Sequence, residues 1–135
     1  DEREYGERAL LNLGHTFCHA LEAVTNFSDI LLHGEGVSIG CNLAFELSSK
    51  LGLCPQEVPS RVREHYHSIN VATDISQING FVGNAEQIYD SMAQDKKVLN
   101  GVIRFILASD IGKAMVQENI DKALVLEVLQ QSLER

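Results

Sequence analysis

The run from Leu11 to Glu35, LNLGHTFCHALEAVTNFSDILLHGE, constrains the fold more than any other part of the chain. At about 100° per residue, Glu4, Arg8, Asn12, His15 and His19 fall within a sector of roughly 80°. Ala9, Leu10, Leu13, Phe17, Leu21 and Val24 gather on the opposite side. The pattern predicts a helix over 2–25 that packs through one side and turns the other outward. A plain solvated face is a mixture of Glu, Lys and Gln. This one holds an acid, a guanidinium, an amide and two imidazoles, so it reads as a site. Gly14, inside the predicted helix, costs about 1 kcal/mol against alanine, which marks a place where another segment comes close.

The remaining segments read as more helix and one hairpin. Thr25-Asn26-Phe27-Ser28-Asp29 is turn chemistry that ends the first helix. A second helix is predicted from His33 or Gly34 to Lys50, with Val37, Cys41, Ala44, Phe45 and Leu47 as its buried stripe and Gly52 as its stop. Pro55 and Pro59 bracket the start of a third, running through about Asn70. Residues 71–83 are broken by Thr73-Asp74, Asn79-Gly80 and Gly83-Asn84. A fourth helix, about 84–93, carries Ile88, Tyr89 and Met92, and Asp95-Lys96-Lys97 follows it. The branched and aromatic run Val102–Ala108, then Ala114–Val116 after Asp110-Ile111-Gly112-Lys113, predicts a short hairpin over about 102–117. Asn119-Ile120-Asp121 opens a last helix packed through Leu124, Val128 and Leu129. The expected fold is a single, mainly α domain over residues 1–135 with one small β-hairpin.

Composition narrows what such a domain can bind. A length of 135 residues suits one domain, and 44% hydrophobic with 22% charged residues is ordinary for a soluble globular protein. The net charge of −8 argues against nucleic acid or an anionic membrane as partner. An anionic substrate would need a local basic pocket working against that field. Cys18, Cys41 and Cys54 are an odd count without a CxxC pair, which suits a reducing, cytoplasmic compartment. No apolar run reaches a membrane span and no signal peptide is visible. The opening Asp1-Glu2-Arg3-Glu4, without an initiator Met, is expected of a piece of a longer protein.

His15 and His19, four apart on a helix, can face one metal ion. His33 follows within His33-Gly34-Glu35. A catalytic zinc takes three protein ligands and keeps one position open. His15, His19, His33 and Glu35 are the candidates, and spacing does not choose among them. Glu35 also suits the start of the second helix, where its charge meets the dipole. Arg8 can instead pair with Glu4 at i, i+4, and Lys96 with Lys97 can be a solvated turn. His65 and His67 are two apart, cannot share a helix face, and are given no function.

Glu4, Arg8, the run Leu11 to Glu22 and Leu32-His33-Gly34-Glu35 with Val37, Ile39 and Gly40 resemble the signature of 3-dehydroquinate synthases. Ser48 to Gly52, Asp95-Lys96-Lys97 and the hairpin through Ile111-Gly112 fit in order and approximate spacing. The resemblance spans essentially the whole chain and corresponds to the helical C-terminal domain of that family. It implies an NAD-dependent lyase that uses zinc or cobalt to convert 3-deoxy-arabino-heptulosonate 7-phosphate to 3-dehydroquinate and phosphate, in the shikimate pathway of aromatic amino acid biosynthesis. It makes His15 and His33 metal ligands, His19 a proton-transfer residue and Glu4 an acid–base candidate. Arg8, Asn12, Lys96 and His33 would contact the substrate, a sugar phosphate. The family's third metal ligand, a Glu, has no counterpart here. No GxGxxG loop occurs either, so NAD would be bound mainly by an absent N-terminal domain, and this chain alone is expected to be inactive. The full-length enzyme is expected to be a homodimer. Cys18 departs from the pattern, standing where the family often has Gly; a thiol there adds bulk beside the histidines or offers a soft ligand. Two alternatives are a domain of an iron-containing polyol dehydrogenase-like enzyme and a non-catalytic helical interaction domain. A simple polyol gives Arg8, Asn12 and Lys96 no phosphate or carboxylate to bind.

Overall fold

Gly14, with a φ of 76°, closes a turn over residues 12–14 and hands the chain to helix α1 (His15–Val24). Of the helix predicted over 2–25, the described part is helical only from His15, because a left-handed residue cannot sit inside a right-handed helix; residues 2–11 lie outside the described residues. The Asn12 carbonyl accepts the His15 N–H at 3.0 Å, and the Gly14 carbonyl accepts the Cys18 N–H at 2.9 Å. Asn12 thus lies in the turn, not on the helix face that carries His15 and His19. The computed structural model describes residues 12–26, 28–94 and 102–135. Glu4, Arg8 and Lys96 lie outside the described residues.

Helix α1 ends where Thr25 turns its hydroxyl back onto the carbonyls of Leu21 and Glu22, at 2.9 and 3.0 Å. That side chain competes with the backbone ladder and helps stop it. Helix α2 (His33–Lys50) starts with Glu35 Oε1 accepting the Leu32 N–H at 3.2 Å. It ends in a Schellman motif: Leu53 N–H donates to the Ser48 carbonyl, Gly52 N–H to the Ser49 carbonyl, and Gly52 sits at φ 75°. Both ends fall where the sequence predicts. The buried stripe does so in part: Ala44, Phe45 and Leu47 are buried as predicted, Val37 and Cys41 are only half-buried, and Ile39 and Leu43 are also enclosed. Helix α2 is the central element, packed by neighbours on several sides, so no single face defines its burial.

Helix α3 (Glu57–Ser68) buries Val58, Pro59 and Val62. A 3₁₀ turn (Ile75–Gln77) lies in the stretch the sequence marks as broken. Helix α4 (Ala85–Ala93) is capped reciprocally, Asn84 accepting the Gln87 N–H and Gln87 accepting the Asn84 N–H, each at 2.9 Å. Strands β1 (Phe105–Asp110) and β2 (Lys113–Gln117) form the antiparallel hairpin, paired from Phe105 with Gln117 to Ala108 with Ala114. Gly112, at φ 83°, makes its turn. Helix α5 (Lys122–Glu134) is capped by the Asp121 carboxylate on the Ala123 N–H at 3.0 Å and buries Val125, Val128 and Leu129.

A main core joins most of these elements, and α3 packs Val58 and Val62 into a smaller cluster with Phe45, Cys54 and Ala108. Phe17 of α1 meets Phe105 of β1 with ring centroids 5.6 Å apart, and Ile39, Leu43, Leu47, Ile88, Met92 and Leu107 fill the space between. Ser48, fully buried on α2, ties the hairpin to the helix. Its hydroxyl donates to the Ala44 carbonyl at 2.6 Å and accepts the Ala108 N–H at 2.9 Å. Ser48→Ala leaves that strand N–H without its acceptor, so it is expected to cost about 1–3 kcal/mol. Urea unfolding followed by circular dichroism measures this; an unchanged midpoint would show that the strand does not depend on the bond. Among the described residues no helix is long and apolar enough to cross a membrane.

Candidate metal centre

Helices α1 and α2 run antiparallel at very short range, and small residues make this possible. A Cβ on Gly14 would stand 2.4 Å from the Gly40 carbonyl carbon, and one on Gly40 would stand 2.5 Å from the Gly14 oxygen. Further along, a Cβ on Gly36 would lie 3.0 Å from the Cys18 Sγ. The crossing therefore pairs Gly14 with Gly40, Cys18 with Gly36 and Glu22 with His33. The residue that departs from the family's pattern, Cys18, is accommodated by Gly36.

The histidines fall into two groups of described contacts. His15 and His19, both half-buried, stack loosely on α1 with ring centroids 5.4 Å apart and planes tilted by 45°. His33 stands at the first position of α2 with a side chain 71% exposed, and its Nδ1 lies 3.3 Å from Glu22 Oε2. The Cys18 thiol donates to the other oxygen, Glu22 Oε1, at 3.4 Å. Asn12 is exposed in the turn before α1. Glu35 spends its carboxylate on the start of α2, as expected, and does not join a described cluster of metal donors. An open groove of about 680 Å³ is lined by Gly34, Glu35, Ser38, His67, Val71 and Gln77, and neither His33 nor the histidines on α1 line it.

Glu22 is the site residue that sequence reasoning passed over. Its signal was present: it follows Cys18 by four residues, the spacing that stacks two side chains on one helix face. Only the return of α2 brings His33 to the same place.

The arrangement can hold a cation. A metal-binding imidazole normally has its second nitrogen tied to a carboxylate or carbonyl, which sets its tautomer and aim. Glu22 does this for His33 Nδ1, leaving Nε2 for the ion. Burial pushes the Cys18 thiol from 9.0 up to about 12, with the Glu22 charge and hydrogen bond adding to it. Burial likewise raises Cys41, Cys54 and the Tyr66 hydroxyl. Each of these groups holds its proton more tightly folded than unfolded. Stability from this source is constant while all are protonated and is lost as pH rises above the ordinary thiol value of 9.0 towards about 12. Urea midpoints are accordingly expected to be flat at neutral pH and to fall in alkali; a midpoint rising there would contradict the assignment.

Comparison with known proteins bears on which chemistry this is. A family model described as 3-dehydroquinate synthase C-terminal matches residues 1–98. A 3-dehydroquinate synthase of Ruegeria sp. (strain TM1040) is 62% identical over 133 residues, covering 98% of this chain and 36% of that protein. The chain thus spans about a third of the length of the curated relatives it matches. Among solved structures, 2-deoxy-scyllo-inosose synthase complexed with carbaglucose-6-phosphate, NAD⁺ and Co²⁺ superposes with a TM-score of 0.74 at 22% identity, over 90% of this chain and 34% of that one. A 2-epi-5-epi-valiolone synthase from Streptomyces hygroscopicus, with NAD⁺ and Zn²⁺ bound, gives 0.73 at 22% identity, over 91% and 32%. At that identity the likeness establishes a shared fold.

Proposed function

Because this chain belongs to the 3-dehydroquinate synthase C-terminal family, we propose that it is the metal- and substrate-binding part of an enzyme that converts 3-deoxy-arabino-heptulosonate 7-phosphate to 3-dehydroquinate and phosphate. The observation that carries this reading is the 62% identity to a 3-dehydroquinate synthase along 98% of the chain. It is supported by the NAD⁺ and divalent metals of the two synthases that share the fold. We place the reaction in the cytoplasm, in keeping with three free cysteines, and expect the complete enzyme to be a homodimer.

In this proposal His15 and His33 hold a zinc or cobalt ion, and a glutamate outside this chain completes the set. Bound there, a divalent cation would polarise the oxygen of the hydroxyl that is oxidised and of the ketone it becomes. Glu22 keeps the His33 imidazole aimed by holding Nδ1. His19, packed against the His15 ring, moves a proton between substrate and solvent, with Glu4 as a second acid–base group. Asn12, Arg8 and Lys96 bind the substrate, the two cations meeting its phosphate and carboxylate. His33 also contacts the substrate. NAD is bound mainly by a dinucleotide-binding domain N-terminal to the sequence present here.

The test is phosphate release from the heptulosonate phosphate with NAD⁺ and Zn²⁺ or Co²⁺ supplied. It is run with this chain, with a separately expressed dinucleotide-binding half carrying the missing glutamate, and with both. Holding a nicotinamide against the reacting carbon contributes about 7–11 kcal/mol, so neither half alone is expected to turn over. The docked pair should release phosphate, and His15→Ala or His33→Ala should abolish that release. Turnover by this chain alone would put the cofactor site within it; an inactive docked pair would overturn the reading.

A further inference from the structure

The Cys18 thiol, the Glu22 carboxylate and the His33 imidazole each offer a ligand atom, and these atoms all lie within 4.8 Å of one another. Two of the contacts, 3.4 Å from Cys18 Sγ to Glu22 Oε1 and 3.3 Å from His33 Nδ1 to Glu22 Oε2, fall on different oxygens of one carboxylate, and each is close to the spacing of neighbouring metal ligands. Metal–sulfur and metal–nitrogen or –oxygen bonds of roughly 2.3 and 2.0 Å place neighbouring ligands roughly 3.5 Å apart. The three also differ as a metal site should: a buried soft donor at the bottom, a carboxylate at 20% side-chain exposure, and an open imidazole at the mouth. We propose that Cys18, Glu22 and His33 form a binding site for a thiophilic divalent cation such as Zn²⁺, Co²⁺ or Cd²⁺, an alternative to the His15–His33 pair and not a simultaneous one, because both need the one lone pair of a neutral His33 imidazole and here Glu22 ligates the ion instead of holding Nδ1. On binding, the Cys18 S–H bond breaks, its proton leaves to solvent, and the sulfur–metal bond takes its place. The remaining coordination position faces water.

This inference needs neither the N-terminal domain nor the reaction, so it can fail while the proposed function stands, and the reverse. Gly36 is part of it, because the space beside its Cα is what admits the sulfur. The only other feature that could hold these groups together is a hydrogen-bond chain, thiol to carboxylate to imidazole, and a sulfur–metal bond distinguishes the two.

The experiment is titration of the full 135-residue chain with Co²⁺, followed by the near-ultraviolet thiolate-to-cobalt charge-transfer band. A band saturating at one cobalt per chain is expected. It should persist in His15→Ala, Cys41→Ser and Cys54→Ser and vanish in Cys18→Ser, with circular dichroism confirming that each variant is folded. Glu22→Gln, which leaves the buried thiol in place, should weaken the apparent cobalt affinity at least tenfold. Absence of a band in the unaltered chain would overturn the proposal, as would a band surviving Cys18→Ser or one lost in His15→Ala.

Discussion

Gly14→Ala is expected to destabilise the domain by roughly 2–5 kcal/mol, a large part of the roughly 5–15 kcal/mol that holds an ordinary domain folded. Two separate costs add. The residue sits at φ 76°, where an L side chain loses roughly 1–2 kcal/mol. The new methyl would also stand 2.4 Å from the Gly40 carbonyl carbon and 2.5 Å from the Cys41 nitrogen. Those are backbone atoms of the central helix and cannot rotate away, so overpacking adds about 1–3 kcal/mol. Gly52 supplies the control. It has nearly the same φ, 75°, with nothing within 4 Å of a new Cβ, so Gly52→Ala should show only the conformational cost of about 1 kcal/mol. Urea unfolding of both variants measures the difference. Equal losses would mean that the approach of α1 to α2 is loose enough to absorb a methyl group.

Asp74→Ala is expected to cost about 3–5 kcal/mol, because it strips the centre from a buried ionic network. Asp74 is 5% exposed. One of its oxygens accepts from Arg63 Nη1 and from the Thr73 hydroxyl at 2.9 Å. The other accepts from the Ser132 hydroxyl at 3.1 Å and Arg135 Nη1 at 3.3 Å. Glu46 of α2 shares both arginines, at 2.9 Å to Arg63 and 3.4 Å to Arg135. Helices α2, α3 and α5 and the 3₁₀ turn are thereby tied through one carboxylate. Its removal leaves two cations facing only Glu46 and leaves the Ser132 hydroxyl without that acceptor. Since the carboxylate is buried, added salt should change the loss little. A loss below about 1 kcal/mol would reduce the network to the level of an exposed ion pair.

What was legible in the sequence was what local chemistry decides. The limits of α2 follow from Glu35 at its start and Gly52 past its end, and those of α4 and α5 from Asn84 and Asp121. In each case the capping group lies within a few residues of what it caps. The hairpin was legible for the same reason, from branched residues flanking Ile111-Gly112. The 3₁₀ turn and its carboxylate were not, because Asp74 reads as a breaker until Arg63, Ser132 and Arg135 are brought around it. The buried face of α2 was read only in part, Ala44, Phe45 and Leu47 but not Ile39 and Leu43, because helical periodicity assumes one buried side, and a central helix has several.

The candidate site divides along the same line. The sequence by itself determined the candidate ligand types, two histidines four apart and a third at a helix start, and the family those residues mark. Only the tertiary structure decided that Gly14 is a left-handed turn rather than a helical residue, that Gly14, Gly36 and Gly40 let two helices touch at backbone distance, and that Glu22 and Cys18 meet His33. Helical periodicity and caps act over three or four residues and leave their pattern in the chain. The meeting of Cys18, Glu22 and His33 depends on the angle and separation at which α1 and α2 cross, set by packing across the whole core.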